Sequence, residues 1–129
     1  MKQLPLGEIR VFRKVVGPDD LAQFESGTVH QVYSTFALAR DAEWSGRLLV
    51  LDLKEAGEEG IGTGLSIEHR SPAFEGQEVV FESILIALSG NEVVTDFTAI
   101  VGDRLIARGQ QKQKIIRQEK LDALFASLR

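Results

Sequence analysis

The sequence contains no cysteine among its 129 residues. Disulfide cross-links, thiolate nucleophiles and thiolate metal sites are therefore excluded. No apolar run is long enough to span a membrane, and the first ten residues, MKQLPLGEIR, lack the apolar segment of a signal peptide. These absences lead us to expect a cytoplasmic protein that is not inserted in a membrane.

Basic residues are also in the minority, with 15 Lys and Arg against 19 Asp and Glu and a formal net charge of -4. This balance argues against nucleic acid as a partner. Hydrophobic residues at 43% and charged residues at 26% are typical of a soluble globular protein. We expect residues 1–129 to form a single domain, because the chain is long enough for its own core and shows no repeat or linker.

Residues 34–53, STFALARDAEWSGRLLVLDL, form the longest segment with helical periodicity before the tail. Ser34 or Thr35 can cap its first turn. One side is unusually small and would let the helix approach a sheet closely: Ala39, Ala42, Ser45 and Gly46. The opposite side is predicted to be solvated: Arg40, Asp41 and Arg47.

Strand patterns account for most of the remaining chain. A half-buried strand with Ile9, Val11 and Val15 on one side is followed by a predicted short helical turn that ends at Phe24. Four strands with short links follow the long helix, over residues 61–71, 78–88, 93–101 and 105–116, and residues 118–128 predict a closing helix. The expected architecture is α+β, a strand, a long central helix and a four-strand antiparallel meander curling over that helix.

Two titratable residues are predicted to lie where the helix meets the sheet. Glu43 is close to the small side of the helix, where a carboxylate is costly unless something satisfies it. His69 shares a strand face with Leu65 and Ile67 and should point toward the core. In the expected fold Glu43 and His69 become neighbours, and the hydroxyl of Thr35 is the third candidate.

Two segments, VYSTFALARDAEW and GTGLSIEHRSPAFEGQEV, resemble the fluoroacetyl-CoA thioesterase type of acyl-CoA thioesterase, a hot-dog fold family. The resemblance extends over about residues 29 to 117. The family carries a Thr at the helix start, a Glu within the helix, a His near the end of the next strand and a Gly-Thr pair before that His. A Pro…Gly loop comes after the His. The matching positions here are Thr35, Glu43, His69, Gly62-Thr63, and then Pro72 and Gly76.

The resemblance implies an antiparallel five-stranded sheet wrapped around the long helix, an acyl-CoA substrate, no cofactor, and a homodimer or dimer of dimers. Glu43 would act as base or attacking carboxylate, and His69 would move protons or orient the substrate. Thr35 would donate to the carbonyl or position Glu43. Substrate contacts would come from the backbone around Gly62, Thr63 and Gly64, which could supply oxyanion donors.

Basic residues of equal parity on the last strand would line one face: Arg104, Arg108, Lys112 and Lys114. In an acidic protein such a stripe could bind the phosphates of coenzyme A, chiefly through Arg108 and Lys112.

Each of these features also has an ordinary structural interpretation. Glu43 can pair with Arg47 or Arg40, His69 can be a satisfied core histidine, and Thr35 can be only a helix cap. The glycines can mark a β-bulge, and the basic stripe can be a solvated outer face. The alternative function is a non-catalytic hot-dog domain that binds an acyl or CoA ligand. A hydratase of the same fold would need an Asp-His pair on one loop, which the sequence does not show.

Overall fold

In the computed structural model, which describes residues 1–129, a long helix packs against a five-stranded antiparallel sheet. The predicted α+β class is thereby confirmed. The elements in chain order are β1 (Ile9–Val15), β2 (Leu21–Phe24), β3 (Gly27–Tyr33), α1 (Thr35–Leu53), β4 (Glu58–His69), β5 (Glu78–Ser89), β6 (Glu92–Val101), β7 (Arg104–Arg117) and α2 (Gln118–Leu128). Neither helix is long and apolar enough to cross a membrane.

The strand order is β1-β5-β6-β7-β4, so the predicted four-strand meander is wrong in one respect. β5, β6 and β7 form the meander, whereas β4 pairs with β7 at one edge and β1 pairs with β5 at the other. Residues 70–77 are long enough to carry the chain across the sheet, which a tight hairpin could not do. β4 also begins at Glu58, three residues before the predicted start of this strand at residue 61. It is consequently a long edge strand with one unpaired side.

The short helix predicted up to Phe24 is also wrong. A 3-10 turn over Pro18–Asp20 is followed directly by β2, which pairs with β3 in a separate two-stranded sheet. Gly27 has a φ of 108°, which a residue with a side chain rarely adopts, and it allows the chain to reverse after Phe24. This hairpin places His30 on β3.

α1 begins as predicted, because the Ser34 hydroxyl accepts a hydrogen bond from the Ala37 backbone N–H at 2.9 Å. Of its small side, Ala42, Ser45 and Gly46 are buried, as expected, whereas Ala39 is only partly buried. Asp41, predicted to be solvated, is instead only 5% exposed. The Tyr33 hydroxyl donates to it, and Arg40 Nε donates to it at 3.1 Å. Burial, together with the bond to Asp41, raises the pKa of Tyr33 and keeps its hydroxyl protonated.

In two peripheral elements, β1 and α2, most of the apolar side chains are exposed. On β1 the buried side is that of Phe12, which packs on the core, whereas Ile9, Val11 and Val15 are exposed. α2 forms over the predicted residues, but Leu121 is its only buried side chain. Both elements lie at the periphery, since β1 is an edge strand and α2 follows the end of β7. An alternating or helical pattern alone does not show which side of a peripheral element is covered.

Gly46 is the point of closest approach between α1 and the sheet. A Cβ at this position would lie 1.8 Å from Gln111 Oε1 and 2.9 Å from Thr95 Oγ1. Gln111 and Thr95 are each 2% exposed or less, so neither can move aside into solvent.

Gly46→Ala is therefore expected to lower the free energy of unfolding by about 2 kcal/mol, because overpacking outweighs the gain in helix propensity. Urea unfolding followed by circular dichroism measures this. Gly17→Ala is the control, because a Cβ there would lie 3.5 Å from Asp20 Oδ2 at a φ of -103°. A Gly46→Ala protein as stable as the control would contradict the packing described here.

Candidate active site

The start of α1 and the end of β4 bring a hydroxyl and an imidazole together. Thr35 Oγ1 lies 2.9 Å from His69 Nδ1. Ser34 provides the helix cap, which leaves the Thr35 hydroxyl free for this contact. The interpretation of Thr35 as a cap alone is therefore wrong. Partial burial lowers the pKa of His69, and a hydrogen bond to the Ser71 backbone opposes this shift only in part. A neutral imidazole near pH 7 can exchange a proton with its surroundings.

Glu43 lies two turns further along α1, with its carboxylate against the backbone of β4. A Cβ on Gly62 would be 2.3 Å from Glu43 Oε1, so only glycine leaves room for the carboxylate. The residues around it form a cleft of about 320 Å³: Arg40, Glu43, Trp44, Arg47, Gly62 and Gln113. The cleft is thus built around a carboxylate and a glycine.

Neither predicted ion pair of Glu43 is formed. Arg47 Nη2 donates to Glu59 Oε1 at 2.7 Å, and its Nη1 donates to the Gly60 carbonyl. Arg40 Nη2 donates to Asp20 Oδ1 at 2.8 Å. Both guanidinium groups are therefore held by other carboxylates, and the Glu43 carboxylate is left without a cationic partner.

The prediction that Glu43 and His69 are neighbours is wrong within one chain. α1 and β4 run in opposite directions after a short link, so Thr35 meets the end of β4 and Glu43 meets its middle. Thr35 and Glu43 are eight residues apart, which is about 12 Å along a helix. His69 and Gly62 are seven residues apart, which is roughly 20 Å along a strand that contains a bulge. The candidate residues therefore form two separate candidate half-sites, Thr35–His69 and Glu43–Gly62.

The glycine-rich part of β4 contains a β-bulge, as one of the alternatives predicted. Gly62 pairs with Gln113 and Gly64 pairs with Lys112, so Thr63 is the extra residue. Gly62 consequently faces Glu43, whereas a Cβ on Gly64 would meet the Lys112 side chain at 3.8 Å on the outer face. The bulge keeps Leu65, Ile67 and His69 directed toward α1.

The predicted basic stripe is interrupted by a second bulge. Ala99 pairs with Ala107 and Ile100 with Leu105, so Ile106 is an extra residue in β7. Arg104 is thereby turned away from the others and donates to Ser71 Oγ and the Pro72 carbonyl. Arg108 and Lys112 stay together on the exposed outer face, where Arg108 Nε donates to Glu68 Oε2 at 2.9 Å.

A cavity of about 780 Å³ between the β2–β3 hairpin and the start of α1 was not predicted. Its lining includes Leu21, Phe24, His30, Thr35 and Phe36, whereas the Thr35–His69 pair lines a separate, smaller pocket with Val32, Ser71 and Pro72. Because the segment before Phe24 was predicted to be helical, the β2–β3 hairpin that forms this cavity was not predicted. The signal that could have identified it is the β-rich run Thr28–Tyr33 directly after a glycine.

Comparison with known proteins gives a consistent family and fold. The FlK family model, described as fluoroacetyl-CoA-specific thioesterase, matches residues 16–119. The structure is similar to that of a Thermus thermophilus hypothetical protein of the thioesterase superfamily, at 35% identity and TM-score 0.95, over 99% of this chain and 95% of that one. No curated protein sequence matches.

Two more distant structures share the fold. A hot-dog-like protein from Thermanaerovibrio acidaminovorans is 20% identical with a TM-score of 0.87, over 95% of this chain and 91% of that chain. A mutant of the fluoroacetyl-CoA-specific thioesterase FlK in complex with fluoroacetate and CoA is 22% identical with a TM-score of 0.81, over 92% and 99% respectively. The predicted hot-dog fold is therefore confirmed.

Proposed function

We propose, on the premise that this chain belongs to the fluoroacetyl-CoA-specific thioesterase family, that it hydrolyses an acyl-CoA thioester to free acid and coenzyme A with Thr35, Glu43 and His69. Family membership makes the protein a thioester hydrolase. The observation that supports the residue assignment is the 2.9 Å contact between Thr35 Oγ1 and His69 Nδ1. The two residues line a shallow pocket of about 290 Å³, and Thr35 also lines the neighbouring hairpin cavity.

Thioester hydrolysis needs an activated nucleophile, a base and a donor for the developing oxyanion. Glu43 has the free carboxylate for the base, or for direct attack on the carbonyl carbon. The Thr35 hydroxyl is placed to donate to the carbonyl oxygen, with the His69 imidazole orienting it. The acyl group would occupy the apolar part of the hairpin cavity, between Phe24 and Phe36.

The two half-sites can meet only if two chains combine. β4 is an unpaired edge strand, and Leu65 near its middle is 42% exposed. Antiparallel pairing of β4 with its own copy about a two-fold axis would bring His69 of one protomer opposite Gly62 of the partner subunit. The partner subunit's Glu43 would then reach the Thr35–His69 pair. We therefore propose a homodimer as the smallest active unit, which sedimentation at micromolar concentration would detect.

The activity is tested by following free thiol release from short, medium, branched and aromatic acyl-CoA substrates with a thiol-reactive dye. The proposal predicts saturable release from at least one of them, and the panel identifies the acyl group. Tight CoA or acyl binding without release from any substrate would favour the non-catalytic binding domain. The cytoplasmic location stays a prediction, which cell fractionation would test.

The outer-face cations give a separate prediction. If Arg108 and Lys112 bind coenzyme A phosphates, replacing both with Ala should raise KM with little change in kcat, because uniform binding is lost. Raising the salt concentration should have a similar effect. An N-acetylcysteamine thioester, which lacks those phosphates, is the control substrate. An equal loss with that substrate would refute the assignment.

A further inference from the structure

Gln113 forms the floor of the cleft that contains Glu43. It lies on β7 and is only 3% exposed. Its carboxamide has no hydrogen-bond partner within the chain and, unlike that of Gln111, is not fully enclosed, because it reaches the cleft. A buried amide normally has partners for its donors and its acceptor. By contrast, Gln110 on the outer face of the same strand donates to Asp96 Oδ1 at 3.2 Å. The Gln113 carboxamide is thus free to bind something that enters the cleft.

The strand register places Gln113 on the sheet face that the Glu43 carboxylate contacts. Gly62 and Gln113 are direct cross-strand partners, so their Cβ positions project to the same side of the sheet about 5 Å apart. The Cβ position of Gly62 is itself 2.3 Å from Glu43 Oε1. Gln113 Oε1 lies 3.5 Å from the Cβ position of Gly60, two residues along β4 from Gly62. The carboxamide and the carboxylate therefore line neighbouring parts of one cleft.

Gln111, two residues away on the same face, shows that burial alone does not explain this arrangement. Its carboxamide also lacks a partner, but it is enclosed beneath Gly46 and does not line the cleft. Gln111 and Gln113 thus share residue type, strand, face and burial. They differ in access to Glu43.

We propose that Gln113 is a further catalytic residue, whose carboxamide holds the attacking water together with Glu43. The inference rests on the proposed thioester hydrolysis. Glu43 takes one proton from the water, while Gln113 Oε1 accepts a hydrogen bond from the other O–H and leaves a lone pair for attack. The water oxygen bonds to the thioester carbon and the C–S bond breaks. The proton on Glu43 passes to the thiolate, which yields the carboxylic acid and coenzyme A thiol.

Gln113→Met keeps the length of the side chain and removes both the donor and the acceptor. We expect kcat to fall about 10-fold or more with KM nearly unchanged, because the water is no longer oriented. The unfolding temperature should stay level or rise, since an unpartnered buried amide is replaced by an apolar group. A purely structural role for Gln113 would instead lower the unfolding temperature.

Gln111→Met is the matched control, and it should show the same thermal behaviour with wild-type kcat. A second variant, Gln113→Asn, retracts the amide by one methylene and should lose less activity than Gln113→Met. The double variant Glu43→Gln/Gln113→Met should be no slower than Glu43→Gln alone, because the two residues hold one water.

Wild-type kcat in both Gln113 variants would overturn this inference while leaving the hydrolase assignment intact. An equal loss in Gln111→Met, or additive losses in the double variant, would overturn it as well. Absence of thiol release by the wild-type protein would instead refute the proposed function itself.

Discussion

Glu43→Gln is expected to lower kcat by about 10²-fold or more while the fold persists, the usual scale for losing acid–base catalysis. The amide keeps the size of the carboxylate but removes its charge and basicity. We expect this effect because the Glu43 carboxylate lies beside Gly62 without a cationic partner. The guanidinium groups of Arg40 and Arg47 pair with other carboxylates. Thiol release under saturating substrate measures the effect, with circular dichroism as the check on folding.

Glu119→Gln is the control for this substitution, because Glu119 pairs with Arg117 on the exposed start of α2. It should leave turnover unchanged and alter the free energy of unfolding by at most a few tenths of a kcal/mol. If Glu43→Gln behaves like Glu119→Gln, Glu43 is an ordinary surface carboxylate and its catalytic assignment is wrong.

His69→Ala is expected to cause a loss comparable to that of Glu43→Gln, because Thr35 then loses the group that orients its hydroxyl. Thr35→Ala should also be severe, whereas Thr35→Ser should be mild because the hydroxyl is kept. Equal activity of the Ser and Ala variants would contradict a role for the hydroxyl.

The pH profile adds a second readout on His69. Burial lowers its pKa below the ordinary value of 6.5, so the imidazole stays neutral until the pH falls through that lowered value. If the neutral form is required, kcat/KM should fall on the acid side with an apparent pKa below 6.5. A change in kcat/KM with an apparent pKa above 7 that is absent from His69→Ala would contradict this assignment.

The long helix, most of the strands and the facing of His69 could be predicted from the sequence for definite physical reasons, whereas the contact between Thr35 and His69 was not itself predicted. Small residues on α1 require a closely packed sheet, and Ser34 marks the helix start. The parity of Leu65, Ile67 and His69 gives the direction of the histidine. The resemblance to the family then supplied Thr35 as the residue to examine at the other end of that contact.

The separation of Glu43 from His69 was not predicted. The alternation of a strand shows which face a residue is on, but not how far along the strand or helix it lies. A helix advances about 1.5 Å per residue and a strand about 3.3 Å. Two residues whose side chains point toward each other's element can therefore still be far apart along its length. The bulge at Thr63 was one of the predicted alternatives, whereas the bulge at Ile106 was not predicted. Each bulge reverses which face the residues on one side of it occupy. Parity arguments therefore failed for Arg104 and held for His69.

Complementation between two inactive variants tests the central claim most directly. Glu43→Gln and His69→Ala subunits are unfolded together, refolded as a mixture and assayed for thiol release. If each active site joins Thr35–His69 of one protomer to the partner subunit's Glu43, every mixed dimer regains one intact site. Activity should then rise to about a quarter of the wild-type value, for random pairing into two-fold dimers. A mixture as inactive as its separate components, beside a refolded wild-type protein of full activity, would contradict the account.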